Sequence, residues 1–175
     1  MKQAAVWQHW PKICRAALHI LKPEKLHFTK KAGNKLAYTI KKTCENIDWH
    51  IVCQIKKEAG LATHSLEQTK KAFSNSYVTV FIYDQEQMIG IGRAISDGVY
   101  QAAIYDIAVL PAWQGKKIGQ LIISEIHKEI EGFTTILYAS PGKEGFYEKL
   151  GYAKMCTGMA RFPYPDLMRK RGFIK

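Results

Sequence analysis

The sequence predicts an α/β fold of the α+β kind, with helices around a mixed central β-sheet of about six to seven strands. Three patterns lead to this prediction. Residues 100–130 read as an apolar strand, a loop rich in Gly and Lys, and an amphipathic helix. Residues 77–83 and 88–95 are short apolar strands joined by a tight turn, so that together with strand 102–110 they predict an antiparallel N-terminal meander. Upstream of them, two segments have helical periodicity.

The elements before the meander start with a predicted strand over residues 36–40. Asn46 or Asp48 can cap the first helix, which is expected to end near Gly60. The second helix is predicted over residues 65–74, because Ser and Gln stand three residues apart at its start as a capping box.

The elements after the meander start with the helix at the end of residues 100–130. Isoleucines recur every four residues from Ile118 to Ile130, while charged side chains fall on the other side. This spacing predicts a helix packed on a sheet. Residues 136–139 and 153–162 are then predicted as later strands around the short segment that carries Tyr147.

The loop over residues 114–119 joins the apolar strand to this helix. Gly115 permits backbone torsions closed to other residues, and Gly119 permits close approach of a ligand or a strand. The first-turn amides, with Lys116 and Lys117, would form a positive pocket that fits a diphosphate. The alternative is an ordinary strand-to-helix connection whose glycines serve only the turn.

Composition limits the class of protein. A chain of 175 residues predicts one globular domain that is long enough for a core. No apolar run approaches the roughly twenty residues of a membrane span, and Pro11 and Lys12 interrupt any leader-like core, so a cytoplasmic location is expected. The four cysteines include no Cys-x-x-Cys pair and no His at ligand spacing, which predicts reduced thiols and no metal site.

The positive charge is concentrated at the start of the chain. Residues 1–42 contain ten Lys or Arg and one acid, a net +9 of the total +11. We therefore predict a basic, partly helical extension over residues 1–33 and a main domain over residues 34–175. The extension could contact an acidic partner, nucleic acid or an anionic membrane surface. Alternatively, its helix packs on the domain or on the second copy of a homodimer.

Two sequence blocks resemble the GNAT acyltransferases. Pro111 followed by Gln114-Gly115-Lys116-Lys117-Ile118-Gly119 is similar to that family's acetyl-CoA pyrophosphate loop, except that Lys117 stands where the pattern has Gly. Residues 141–152 are similar to the family's late helix and strand, where a Phe-Tyr pair precedes Glu-Lys-Leu-Gly and an aromatic residue. The resemblance covers roughly residues 35–162 and implies the GNAT fold.

The resemblance also implies an activity and a set of binding residues. The protein is expected to be an acetyl-CoA-dependent N-acetyltransferase that transfers acetyl directly from the thioester to a primary amine, without a metal. The pantetheine arm is expected at the main chain of Ile107, Ala108 and Val109. The diphosphate is expected at Gln114, Gly115, Lys116, Lys117, Ile118, Gly119 and Gln120.

Two residues are predicted to be catalytic. The resemblance implies that Tyr147 donates a proton to the departing thiolate, whereas the alternative is a packing aromatic. Asp106 is the only acid in the apolar strand 102–110, and burial would raise its pKa and make it a better base. The alternative is a structural carboxylate satisfied by backbone donors.

The acceptor cannot be named from the sequence. The resemblance places the loop over residues 60–64 on the acceptor side, and a small-molecule or peptide amine is expected. One alternative is a non-catalytic CoA-binding sensor that uses the basic extension to hold a partner. Another is an acetyltransferase for protein lysines or N-termini.

Overall fold

The computed structural model describes residues 38–175, in which five strands form one sheet and five α-helices accompany it. The strands are β1 (Thr39–Lys41), β2 (Val78–Asp84), β3 (Gln87–Ser96), β4 (Gln101–Val109) and β5 (Thr134–Ile136). The helices are α1 (Trp49–Glu58), α2 (Leu66–Ser74), α3 (Ile118–Glu129), α4 (Glu144–Glu148) and α5 (Pro165–Lys170). A 3-10 turn at Pro111–Trp113 joins β4 to the loop before α3. The predicted basic extension, its boundary at residue 33 and the first residues of the predicted first strand lie outside the described residues.

The sheet has the order β1-β2-β3-β4-β5. The first four strands are antiparallel, and β2, β3 and β4 form the predicted meander. Strand β5 joins β4 in parallel after the α3 crossover. The α/β class with a mixed sheet flanked by helices is therefore confirmed. The pairing of β5 is short, because it runs only from Gln101 opposite Thr134 to Ala103 opposite Ile136.

The predicted strand count is too high for the described part of the chain. Residues 153–162 form no strand, and the last strand is Thr134–Ile136 rather than residues 136–139. The segment 153–162 lacks the dense β-branched and aromatic residues that stabilise strands, and Met159 within it is 98% exposed. Its last residue, Phe162, instead packs edge to face against Tyr138, two residues after the end of β5, at a ring-centroid distance of 6.0 Å.

The helix starts follow the predicted capping. The carboxylate of Asp48 accepts from the amides of His50 and Ile51, which selects Asp48 over Asn46 as the cap of α1. Ser65 and Gln68 form the reciprocal capping box at the start of α2. Both helices therefore begin where short-range hydrogen bonds satisfy otherwise free amides.

The core lies on both faces of the sheet. Helix α3 covers one face with the predicted isoleucine stripe, in which Ile118, Ile122, Ile126 and Ile130 are all buried. Helices α1 and α2 cover the other face, where Trp49, Phe73 and Phe81 pack ring against ring.

Two glycines in β3 allow α3 to approach the sheet closely. A Cβ at Gly92 would lie 2.4 Å from Cγ2 of Ile122 and 2.7 Å from Cδ1 of Ile107. A Cβ at Gly90 would lie 3.0 Å from the side chains of Ile118 and Ile122. Both glycines occupy the same face of one strand, so the first turns of α3 sit directly on the backbone of β3.

We predict that Gly92→Ala lowers the free energy of unfolding by about 1–3 kcal/mol, because the added methyl overpacks the contact with Ile122 and Ile107. Gly145→Ala in α4 is the matched control, since a Cβ there meets nothing within 4 Å. That control is expected to change stability by no more than about 1 kcal/mol. Urea unfolding of both variants measures the difference, and equal midpoints would contradict the close approach.

Candidate active site

The candidate site begins where β4 and β5 separate. Their pairing ends at Ala103, whereas β4 continues to Val109 alongside β3. Beyond Ala103, the outer edge of β4 has no strand partner among residues 38–175. Backbone N–H and C=O groups on such an edge are available to a bound extended ligand.

A bulge lies in this separated part of β4. Ile91 is opposite Ala108 and Arg93 is opposite Tyr105, so β4 contains one more residue than β3 over this interval. Asp106 takes the left-handed conformation there, with φ of 54°. Such a bulge bends the strand that contains it and redirects a side chain.

The redirected carboxylate of Asp106 lies between two cations. The ammonium of Lys56 on α1 is 2.9 Å from its Oδ1, and Nε of Arg93 donates to its Oδ2 at 2.5 Å. Arg93 also lies over the rings of Phe73 and Tyr105. The three charged side chains are largely buried, with exposures of 5% for Lys56, 16% for Arg93 and 15% for Asp106.

The expected raised pKa of Asp106 is therefore wrong. Burial alone would raise the pKa of this carboxyl, but the hydrogen bond from Arg93 and the charge of Lys56 together lower it below its ordinary value. A carboxylate held this way binds a proton poorly. The partners are side chains, not the backbone donors of the predicted structural alternative.

Lys56 and Arg93 were not predicted as members of the site. Arg93 could have been singled out, because it is the only charged residue within β3, an otherwise apolar or uncharged strand. Lys56 stands among charged neighbours in the last turn of α1, and nothing in the local pattern separates it from Lys57. Only the packing of α1 on the sheet brings it to Asp106.

The loop before α3 has the conformation that the glycine pattern predicts, with one exception. Gly115 has φ of 77°, a left-handed conformation that glycine adopts far more readily than other residues. Lys117 also has a positive φ of 65°, although it stands where the pattern has Gly. Lys116 turns toward the ring of Trp113, with its ammonium 4.2 Å from the ring centroid.

The start of α3 has no side-chain cap. Lys117 is the N-cap residue and makes no capping hydrogen bond, while its carbonyl accepts from Leu121 in the normal helical manner. The amides of Ile118, Gly119 and Gln120 precede the first intrahelical donor, so they are free of helical partners. Together with the helix dipole they form a place for an anion.

Gly119 links this loop to the second sequence block. A Cβ at Gly119 would lie 3.2 Å from Cζ of Phe146 on α4. The absent side chain therefore makes room for Phe146, so it is a protein side chain that approaches Gly119. This contact places the start of α3 against the helix that carries Tyr147.

Tyr147 borders the larger of two cavities. This cavity has a volume of about 690 Å³ and is lined by residues of β4, β5, α4 and the segments that follow α4, including Tyr105, Tyr138, Glu144, Tyr147, Glu148 and Phe173. Tyr147 is half-buried, and removal from water raises the pKa of its hydroxyl. The phenol is consequently protonated at neutral pH.

A histidine fixes the aromatic neighbour of Tyr147. His127 Nε2 and the hydroxyl of Tyr152 are 2.6 Å apart, and the rings of Tyr152 and Tyr147 meet edge to face at 5.9 Å. Burial lowers the pKa of His127 and raises that of Tyr152. A neutral imidazole paired with a neutral phenol therefore holds this side of the cavity.

The smaller cavity lies over α1 and α2 and has a volume of about 440 Å³. Seven residues line it: Cys53, Gln54, Lys56, Lys57, Thr63, His64 and Thr69. Two of them, Thr63 and His64, belong to the loop that was expected on the acceptor side. Lys56 lines this cavity and also contacts Asp106, whose neighbour Tyr105 lines the larger cavity.

Comparison with known proteins assigns the family. A family model for the acetyltransferase (GNAT) domain matches residues 75–154. An uncharacterized N-acetyltransferase, ycf52, from Gracilaria tenuistipitata var. liui is 30% identical over 136 residues, which is 73% of this chain and 68% of the relative. This chain belongs to the GNAT acetyltransferase family. The predicted resemblance is thereby confirmed.

Other members of the GNAT family agree in sequence and structure. Serotonin N-acetyltransferase 2, chloroplastic, from Oryza sativa subsp. japonica is 25% identical over 124 residues, covering 66% of this chain and 62% of that relative. A probable acetyltransferase from meticillin-resistant Staphylococcus aureus superposes with a TM-score of 0.64 at 28% identity, covering 73% of this chain and 100% of the other.

The GNAT protein is thus an acyltransferase, and acetyl transfer is its general reaction. In the described part, no group of three or more His, Cys, Asp and Glu side chains could hold a metal ion. None of the helices over residues 38–175 is long and apolar enough to span a membrane.

The ion pairs of Asp106 with Lys56 and Arg93 allow a prediction of what removing the carboxylate does. Asp106→Asn leaves Lys56 and Arg93 buried without compensation, which should lower the free energy of unfolding at pH 7 by about 3 kcal/mol. The pKa of Asp106 is lower in the folded protein than in the unfolded chain, where it is about 3.9. The ionised carboxylate therefore stabilises the fold fully above the unfolded-chain pKa, and this stabilisation is lost as the pH falls through the folded-state pKa. The gap between wild type and variant should therefore narrow below about pH 4.

Asp166→Asn is the control, since Asp166 forms an exposed ion pair with Arg169. We expect that variant to differ from wild type by less than about 1 kcal/mol at any pH. Urea unfolding at a series of pH values measures both variants. A pH-independent gap for Asp106→Asn would contradict the lowered pKa.

The left-handed Lys117 predicts a stabilising substitution. A non-glycine residue in this conformation costs roughly 1–2 kcal/mol, and glycine avoids that cost at an entropic penalty of about 0.5–1 kcal/mol. Lys117→Gly should therefore raise the free energy of unfolding by about 0.5–1 kcal/mol. Lys116→Gly, with no positive φ to relieve, should lower it. Thermal unfolding that shifts both variants in one direction would refute the explanation.

Proposed function

We propose that the protein transfers an acetyl group from acetyl-CoA directly to a primary amine acceptor. The observation that carries the proposal is the contact between the uncapped start of α3 and the α4 helix at Gly119 and Phe146. That contact joins a place suited to a diphosphate to a cavity lined by a protonated tyrosine. The open edge of β4 runs from beyond Ala103 to Val109, which directly precedes the turn that leads into this loop.

The residues available for acetyl-CoA suit its chemistry. The main chain of Ile107, Ala108 and Val109 would pair with the amide groups of the pantetheine arm, as an added strand does. The residues for the diphosphate are Gln114, Gly115, Lys116, Lys117, Ile118, Gly119 and Gln120. Nothing lies within 4 Å of the Cβ position at Gly115, so the loop leaves room beside its backbone. Gln114 Nε2 donates to the carbonyl of Val109 at 3.1 Å and ties the loop to the end of β4.

Bound acetyl-CoA would supply the activated acetyl group. In the transfer, a bond forms between the amine nitrogen and the acetyl carbon, and the carbon–sulfur bond breaks. We assign Tyr147 the proton that neutralises the departing thiolate, because its raised pKa keeps the phenol protonated and it lines the cavity. Direct transfer requires no acyl-enzyme, so the described cysteines have no part in this step.

The amine must lose its own proton before attack, because its reference pKa is about 10.4. Asp106 is a poor base for this step, since Arg93 and Lys56 occupy its oxygens and lower its pKa. We propose that Asp106 positions these two cations and that water in the cavity takes the proton. Two acids, Glu144 and Glu148, and two bases, Lys154 and Arg161, line the larger cavity, so carboxylates that can contact an ammonium group are present without a net negative lining.

We propose a small-molecule acceptor, because two cavities of defined size lie near the ion pairs of Asp106. Lys56 lines the smaller cavity, and Tyr105, whose ring contacts Arg93, lines the larger one. The rice relative is named for serotonin, which is itself a primary amine. Nucleic-acid binding or dimerisation through residues 1–33 remains a prediction, as does the cytoplasmic location. Protein lysines and N-termini are the alternative acceptors.

Tyr147→Phe tests the catalytic assignment. We expect kcat for CoA release with a panel of primary amines to fall by about 10²-fold, with little change in the KM for acetyl-CoA, because only proton donation is lost. Tyr100→Phe is the control, since Tyr100 is 62% exposed and lines neither cavity. An unchanged kcat in Tyr147→Phe would remove this residue from the reaction.

Calorimetric titration with CoA tests the cofactor site separately. Wild type should bind CoA, and Tyr147→Phe should bind it equally well. Absence of any binding heat and of CoA release would refute the enzyme proposal. Binding of acetyl-CoA without turnover on any amine or peptide would instead support the sensor alternative.

A further inference from the structure

The smaller cavity, over α1 and α2, is cationic and rich in hydrogen-bond donors. Lys56 and Lys57 both line it, together with the hydroxyls of Thr63 and Thr69 and the ring of His64. None of its seven lining residues is acidic. Gln54, at the rim, donates to Glu58, which keeps the nearby carboxylate engaged. A cavity with this lining favours a negatively charged ligand group.

The charge beneath the cavity is not balanced. Lys56 and Arg93 carry two positive charges against the single negative charge of Asp106. Arg93 alone would neutralise Asp106, so Lys56 adds a buried positive charge in excess. The residue Lys56 is only 4% exposed, and a buried charge without full compensation is unfavourable. An anion in the cavity would supply the missing compensation.

The ammonium of Lys56 has donors to spare. It carries three N–H groups, whereas its contact with Asp106 Oδ1 at 2.9 Å uses one. Lys57, the next residue, is exposed and adds a second positive charge at the opening. The two lysines therefore provide a buried and an exposed contact for one anionic group.

The position of this cavity relates it to the acetyl-transfer cavity. Lys56 lines the smaller cavity and holds Asp106, while the preceding residue, Tyr105, lines the larger one. The charged residues that line the larger cavity are two acids and two bases, Glu144, Glu148, Lys154 and Arg161, and Lys154 pairs with Glu148. The charged side chains of the larger cavity thus balance, whereas those of the smaller cavity are positive only and suit an anion.

We propose that the acceptor is an amine that also carries a carboxylate or phosphate-type group, and that Lys56 and Lys57 bind this acidic group in the smaller cavity. The inference rests on the proposed acetyl transfer and narrows its substrate class to acidic amines. The amine end lies toward Tyr147 and the acidic end toward α1. Neutral alkylamines lack the second contact and are poorer acceptors.

Matched acceptors test this proposal. CoA release is measured with β-alanine, γ-aminobutyrate and δ-aminovalerate, with the n-alkylamines of the same chain length, and with aminoethylphosphonate and aminopropylphosphonate. At each chain length, kcat/KM for the acidic amine should exceed kcat/KM for the matching n-alkylamine by about tenfold or more. The carboxylate and phosphonate series then identify which anion fits. Equal kcat/KM for acids and neutral amines would overturn the inference while leaving the acetyltransferase proposal intact.

Two lysine variants assign the preference to the cavity. Lys57→Gln should reduce the preference for acidic acceptors by about tenfold without a comparable loss with n-alkylamines. Lys70→Gln is the matched control, because Lys70 is an exposed lysine on α2 that does not line the cavity. An equal effect of both substitutions would overturn the assignment. Lys56→Met should abolish the preference, and its thermal unfolding is recorded alongside, because Lys56 also contacts Asp106.

Binding is measured independently of turnover. Amide signals of Thr63, His64 and Thr69 are followed by NMR in CoA-saturated protein during titration with δ-aminovalerate, aminopropylphosphonate or n-pentylamine. Shifts with the acidic amines and none with n-pentylamine support the site even if no acetyl transfer is detected, in which case only the proposed function fails. Absence of shifts with every acidic amine overturns the inference.

Discussion

The extra residue at Asp106 in β4 is the constraint on which the candidate site depends. It turns one carboxylate toward α1, where Lys56 and Arg93 hold it, and it bends the strand beyond the point where β5 stops pairing. The left-handed backbone at Asp106 is tolerated because a short acidic side chain suits it and two cations fix it. One local feature therefore links the sheet edge, the α1 helix and both cavities.

Close packing of α3 on β3 fixes the other half of the site. Gly90 and Gly92 let Ile118 and Ile122 rest on the strand, and Gly119 lets Phe146 rest on the start of the helix. These contacts leave little freedom in where the uncapped amides of α3 lie relative to Tyr147. A diphosphate at those amides and a thioester near Tyr147 are consequently compatible with one rigid arrangement, since packed interiors resist small displacements.

Much of the fold could be predicted from short-range signals. Asp48 and Ser65 cap their helices through atoms two or three residues away, and the isoleucines of α3 repeat at the helical period. Residues 153–162 were wrongly predicted as a strand, because apolar content alone says nothing of whether a partner strand is available. Helix α5 was not predicted, since its six residues have no buried side chain to create a periodic pattern.

The sequence alone determined the family, the order of the main elements and the glycine turn at Gly115 before α3, because these depend on residues that are neighbours in the chain. The tertiary structure decided the lowered pKa of Asp106, the residue that approaches Gly119 and the positive lining of the smaller cavity. Arg93 and Asp106 are 13 positions apart, and Lys56 reaches Asp106 from a different element. A pKa depends on charges brought together by packing, and local periodicity carries no information on which distant side chains will meet.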